Sequence, residues 1–137
     1  MINSRNLSDL HPIVRLRCEQ FIAECTKQGI NALITSTYRD NASQNALYAQ
    51  GRTTKGAIVT NAKAGQSFHN WRVAFDFVPI VNGKAQWNDL ELFNKCGEIA
   101  ESVDLEWAGR WKRFKEMAHC QYTGGLSLLD FQQGRGF

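Results

Sequence analysis

The feature that most constrains this chain is an aspartate set inside its most apolar stretch. Val73-Ala-Phe-Asp76-Phe-Val-Pro-Ile80 has the alternation and aromatic, β-branched content of a strand. A bare carboxylate in such a setting is costly to bury. Asp76 must therefore meet a cation, either a metal ion or a basic side chain such as Arg39.

Two further pieces bear on that choice. His69 lies seven positions before Asp76, just after a glycine-containing loop, and His119 closes the segment Glu116-Met-Ala-His119 at the entry to another strand. A catalytic zinc site takes three protein ligands from histidine and carboxylate and leaves a position open for water. His69, Asp76 and His119 could supply that set, and Glu116 could then move a proton to and from the water. Neither H-E-x-x-H nor a paired-cysteine motif is present, so spacing alone leaves the zinc hydrolase and the Arg39 ion pair both open. His11, beside Pro12, stands outside both histidine pieces.

Flanking elements follow from periodicity and punctuation. Ser8 or Asp9 is expected to cap a helix over 9–28, followed by a strand over Ile30–Thr37 and a helix capped by Asp40 that ends at Gly51. Residues 52–66 lack sustained periodicity and read as a long loop, a length that small domains usually reserve for function. Asn82-Gly83 signals a hairpin. Asn88 or Asp89 should cap a third helix with an apolar face of Leu92, Phe93, Cys96, Ile99 and Val103. Short strands near Leu105–Trp107 and His119–Tyr122 and a helix over Ser127–Gln133 complete the order. Strands in meander-like pairs predict an α+β fold, a small antiparallel sheet flanked by helices, forming one domain over 1–137.

Composition excludes several classes. With 137 residues, 43% hydrophobic, 21% charged and two prolines, the chain has globular usage rather than that of a disordered chain. No apolar run approaches the roughly 20 residues of a membrane span, so no stable membrane insertion is expected. The N-terminus lacks the apolar core of a secretory signal, which predicts accumulation in the cytoplasm. The net charge of +3 is weakly informative. Arg110, Lys112, Arg113 and Lys115 form the one basic cluster, a candidate for nucleic acid that the wider reading disfavours. Cys18, Cys25, Cys96 and Cys120 show no C-x-x-C spacing and are expected as free thiols; Cys120, beside His119, lacks the third group that would orient a nucleophile.

Taken together, Ser67-x-His69-x-x-x-x-Ala74-x-Asp76 and Glu116-x-x-His119 resemble the zinc-binding signature of the VanY-like D-alanyl-D-alanine carboxypeptidase and L-alanyl-D-glutamate peptidase family, which includes phage endolysins. Thr37-Tyr-Arg39, Gln44 to Thr53, Ile58 to Ala62 and Trp107-Ala-Gly-Arg-Trp111 resemble the segments that flank the signature in phage-type endopeptidases, so the likeness runs from about Ile30 to Gly125. The resemblance implies a hedgehog/DD-peptidase-like fold, with Zn2+ held by His69, Asp76 and His119. It also implies Glu116 as general base, Arg39 as the cation that steadies the carbonyl oxygen, Ser67 supporting the substrate or the ligands, and 52–66 as a wall of the groove. The implied substrate is the peptidoglycan stem peptide, cut between L-Ala and D-Glu by a monomeric endolysin. Such an enzyme would leave the host cytoplasm through a separate pore protein and act on a thin Gram-negative wall. A D,D-carboxypeptidase or dipeptidase of the same family and a non-catalytic wall-binding module are the rival readings. The chain departs from the pattern at Arg72, where glycine is usual and a positive φ would strain arginine, at Ala118 and Cys120, which replace a frequent Pro and Phe, and at Glu116, where phage enzymes more often have Asp.

Overall fold

The computed structural model describes Met1–Phe137. Its elements are α1 (Pro12–Lys27), β1 (Asn31–Ser36), α2 (Asn41–Ala49), β2 (Ala74–Val81), β3 (Lys84–Ala85), α3 (Leu90–Ser102), β4 (Glu106–Trp107), β5 (His119–Gln121) and α4 (Leu128–Gln132). Short 3-10 turns lie at Leu7–Asp9, Phe68–Trp71 and Ala108–Arg110. The α+β expectation holds: the sheet runs β1-β2-β5-β4, every pairing is antiparallel, and β3 folds back on β2 as the Asn82-Gly83 hairpin.

One helix boundary differs from expectation. Neither Ser8 nor Asp9 caps α1, because the chain first makes the Leu7–Asp9 turn, in which Asp9 pairs with Ser4. His11 takes the capping role, its ring Nδ1 accepting from the Ile13 amide, and Pro12 occupies the first helical position, where its missing N–H costs nothing. Asp40 caps α2, accepting from Ser43 N at 2.8 Å, and Asp89 caps α3.

The core lies between one face of the sheet and the pair α1 and α3. Val14, Cys18, Phe21 and Cys25 recur at helical spacing along α1 and are fully buried. Phe21 meets Phe75 and Phe77 of β2 with ring centroids 5.7 and 5.0 Å apart, and Phe77 meets Phe93 of α3 at 5.5 Å. Burying each such ring is worth about 1.5–3 kcal/mol. Successive strand residues point to opposite faces, so with Phe75 and Phe77 committed to the core, Asp76 must emerge on the other side of the sheet. The same alternation turns Cys120 inward and leaves His119 and Gln121 on the face of Asp76. All four cysteines are buried free thiols. Burial pushes Cys18 up to about 12 and Cys120 well above its ordinary value, which makes them packing residues rather than nucleophiles.

Trp107 joins the core to the site. It is fully buried, and a Cβ at Gly97 or Gly109 would fall 2.2 or 2.1 Å from its ring, so only glycine fits on either side. Its indole Nε1–H donates to Met117 O at 2.8 Å, and Glu116 N donates to Ala108 O at 3.3 Å. These bonds hold the backbone that carries Glu116.

Candidate active site

Each candidate ligand arrives on a different piece of the scaffold. Asp76 and His119 are direct cross-strand partners in the β2–β5 ladder. His69 comes from the 3-10 turn Phe68–Trp71, whose start is a reciprocal cap: Ser67 Oγ accepts from His69 N at 3.3 Å, and Asn70 Oδ1 accepts from Ser67 N at 3.1 Å. Asn70 also donates to Arg39 O at 2.9 Å, and Arg39 N donates to His69 O at 3.1 Å, so the turn is stitched to the segment after β1. The turn ends at Arg72 with φ 65° and ψ 22°, the left-handed conformation that disfavours arginine. The guanidinium offsets part of that cost by lying 3.8 Å from the Tyr38 ring centroid and bonding Asp9 O at 2.9 Å.

The donor atoms of His69, Asp76 and His119 all lie within 4.8 Å of one another. His69 Nε2 is 3.2 Å and His119 Nδ1 is 3.3 Å from the same oxygen, Asp76 Oδ1. The far nitrogens decide what those contacts mean. His69 Nδ1 is 2.8 Å from Thr37 O, which can only accept, so the proton of the neutral ring sits on Nδ1 and the Nε2 lone pair faces Asp76. His119 Nε2 is 2.8 Å from Gln121 Oε1, and Gln121 Nε2 donates to Glu106 Oε2 at 3.4 Å, which fixes the amide so that its oxygen faces the histidine. The proton of His119 is thereby on Nε2, and its Nδ1, buried and without a hydrogen-bond partner, also presents a lone pair.

Two imidazole lone pairs and a carboxylate oxygen thus converge on one point and repel unless a cation lies among them. The ligand edges of a zinc tetrahedron with bonds near 2.0–2.1 Å are about 3.3 Å long, matching the two separations. Residues present and geometry both fit a metal ion. In the metal-free protein the same negative potential attracts protons. Burial disfavours charge on His119, but its contacts with Asp76 and Gln121 outweigh that and raise its pKa above the ordinary 6.5. Burial alone would raise Asp76, yet the two histidines hold it well below the usual carboxylate range.

Arg39 does not pair directly with Asp76. Its guanidinium donates to Gln44 Oε1 at 3.0 Å and Ser36 Oγ at 3.3 Å, while Nε is buried and unpartnered. Burial lowers its pKa, and the nearby charges of Asp76 and Glu116 oppose the shift. Glu116 stands at the solvent side of the cluster, its carboxylate 3.6 Å from His119 Nδ1 and its side chain 61% exposed. Ser67 serves chiefly as the cap of the His69 turn while also facing the cleft.

All six candidates open on one cleft of about 920 Å³. One wall is the expected loop: Val59 to Ala62 and Gln66 line it. Arg52 holds that loop to α2 through Tyr48 O, Thr60 O and Asn61, and Gln44 holds it through Ala62 O at 2.8 Å. Trp87, Trp111 and Phe114 line the cleft as well, Trp87 and Phe114 largely exposed. Arg110 is spent on Glu101 at 3.0 Å, which shortens the basic cluster noted in the sequence. Gln121 and Glu106 belong to no motif in the sequence, and Thr37 and Gln44 stand in the flanking segments with no role that the sequence assigns them. For Gln121 a signal exists, since a residue two after His119 on a strand must share its face.

An antiparallel sheet presenting two histidines and an aspartate in a cleft, with a carboxylate beside them, defines a metal-dependent hydrolase. The family model for VanY, D-alanyl-D-alanine carboxypeptidase, matches residues 7–124, and the chain belongs to that family. It is 40% identical over 129 residues to the peptidoglycan L-alanyl-D-glutamate endopeptidase CwlK of Bacillus subtilis (strain 168), covering 83% of this chain and 74% of CwlK. Among solved structures it is similar to the Serratia marcescens L-Ala D-Glu endopeptidase ChiX, with TM-score 0.67, 19% identity, and coverage of 95% of this chain and 92% of ChiX. A vancomycin-resistance D,D-pentapeptidase VanY in complex with Zn(II) superposes with TM-score 0.64 at 14% identity over 91% of this chain and 79% of the other. These two share the fold. No helix is long and apolar enough to cross a membrane.

Proposed function

We propose that this chain is a zinc-dependent endopeptidase that hydrolyses the L-Ala–D-Glu bond of the peptidoglycan stem peptide. The observation that carries the reading is the convergence of the His69 and His119 lone pairs on Asp76 in a cleft that also holds Glu116. The choice of bond is supported by the likeness to CwlK, and the choice of metal by the zinc-bound VanY neighbour.

His69, Asp76 and His119 would hold zinc, which would supply Lewis acidity and make water a readier proton donor. Glu116 accepts a proton from the attacking water and delivers it to the leaving D-Glu amine, exchanging base and acid roles within one turnover. Arg39, a fixed guanidinium anchored by Gln44 and Ser36, faces the negative charge that develops on the scissile carbonyl oxygen. Ser67 keeps the His69 turn in register and offers its hydroxyl edge to the substrate. The segment 52–66 orients the peptide along the cleft.

The biological setting we propose is phage-type lysis: a monomer made in the host cytoplasm, released through a separate membrane pore protein, and acting on the wall in the periplasm. It rests on the likeness of the flanking segments to phage endopeptidases.

The test is mass spectrometry of Gram-negative peptidoglycan after incubation with zinc-loaded protein, with a chelated control. Fragments beginning at D-Glu, absent from the control, are expected. Release of single D-Ala units instead would assign the carboxypeptidase reaction, and no zinc-dependent product would leave a wall-binding module.

A further inference from the structure

We infer that Glu106 is a positioning residue for the metal site: through Gln121 it selects the protonation tautomer of His119, and through Trp111 it ties that selection to the cleft wall. This inference rests on the zinc reading above and deepens it.

The register of the sheet builds the relay. In the β4–β5 ladder Glu106 stands directly opposite Gln121, and in the β2–β5 ladder His119 stands opposite Asp76. Glu106 Oε2 accepts from two donors, the Trp111 indole Nε1–H at 2.8 Å and the Gln121 amide at 3.4 Å. Gln121, 3% exposed, then has only its oxygen to offer the His119 ring, at 2.8 Å. The Trp111 ring lies 5.7 Å from the His119 ring, against the same histidine that the amide orients. Glu106 itself does not line the cleft, so it acts only through these partners.

An amide can present either end. Turned over, Gln121 would offer N–H to His119 Nε2, which would then have to accept, driving the ring proton to Nδ1 and closing the nitrogen that must face the metal. A carboxylate at 106 prevents this, because it can accept from the amide nitrogen and cannot donate to the oxygen. Outer partners of this kind are worth 10–100-fold in metal affinity. The two ligand histidines thus reach opposite tautomers by different devices: a backbone carbonyl for His69 and a carboxylate-locked amide for His119.

The experiment is zinc affinity by chelator competition on the full chain, with the cobalt(II)-substituted absorption spectrum as a second readout, for wild type, Glu106→Ala and Glu106→Gln. Glu106→Ala should weaken zinc binding about 10–100-fold and alter the cobalt spectrum, while thermal unfolding of the metal-free form changes little. Glu106→Gln, whose amide oxygen the Trp111 indole N–H would hold at the position that also faces Gln121, should recover most of the affinity. Equal affinity of wild type and Glu106→Ala would overturn the relay while leaving the zinc site intact. Failure of the wild type to bind zinc would overturn the site reading and the relay together. A loss in Glu106→Ala that Glu106→Gln does not recover would assign the effect to the charge at position 106 rather than to its acceptor oxygen and overturn the tautomer selection.

Discussion

The three proposed ligands and the proposed base sit within a few ångströms of one another but are held in opposite ways. His69 and His119 are almost fully buried, and each far nitrogen is engaged by a fixed acceptor on a strand or its immediate extension. Glu116 is 61% exposed, and its carboxylate lies 3.6 Å from His119 Nδ1 with no hydrogen bond to hold it, although its backbone is clamped by Ala108 and the Trp107–Met117 bond. The difference matches the tasks. A metal site demands ligand positions good to a few tenths of an ångström, whereas a group that takes a proton from one atom and gives it to another needs side-chain freedom about a fixed root.

That contrast can be broken first at the rigid end. Asp76→Ala removes the oxygen on which both histidines converge, and zinc affinity should fall beyond the 10–100-fold that an outer partner costs, with no cleavage detectable by product analysis. Retained stoichiometric zinc in that variant would refute the ligand set. At the mobile end, Glu116→Ala should lower kcat by about 10²–10⁴-fold and leave zinc affinity within a few-fold of wild type, read by kinetics beside chelator competition. Zinc loss there would erase the distinction between the two regions.

A pH series sharpens the same contrast. Because His119 has a raised pKa, a proton occupies the metal position at and below that pKa, so zinc must displace it. Affinity should fall as pH is lowered through and below the neutral range, approaching tenfold per unit for each proton released, and level off on the alkaline side. Affinity independent of pH between 5.5 and 8.5 would contradict the buried lone-pair arrangement. The smallest effect is expected at Ser67→Ala, which loses the cap of the His69 turn and should cost about 1 kcal/mol, seen as a drop of a few degrees in Tm. An unchanged Tm with a raised KM would instead assign Ser67 wholly to substrate.

What the sequence made legible was whatever depends on local pattern. Asp76 announced a cation because a charge in a strand is anomalous by itself, and caps such as Asp40 follow from side chains one turn away. The α1 cap was misplaced because Ser8 and Asp9 are far commoner caps than the histidine that does the work, and Pro12 fixes the start beyond them. Arg39 was open between pairing Asp76 and facing the substrate; only the bonds to Gln44 and Ser36, made across α2 and β1, separate the two. Glu106 and Gln121 were invisible because their meeting is a matter of β4–β5 register, and the Thr37 carbonyl because backbone atoms carry no sequence signature. The left-handed Arg72 was foreseen as a liability; its compensation by Tyr38 and Asp9 is tertiary and was not.

Trp107, pressed between Gly97 and Gly109, gives the fold a distinctive mutational fingerprint. In a saturation library selected for cleavage, these two glycines should tolerate replacement as poorly as the residues around the metal, although neither bears a functional group. The folding of such variants, read by Tm rather than by cleavage, should recover when Trp107 is made smaller. Positions such as Gly29 and Gly83, where an added Cβ meets open space, would admit asparagine at only the modest cost of their positive φ. Selection would therefore draw a second centre of intolerance on α3 and the turn after β4, a place where sequence variation is closed off by volume alone.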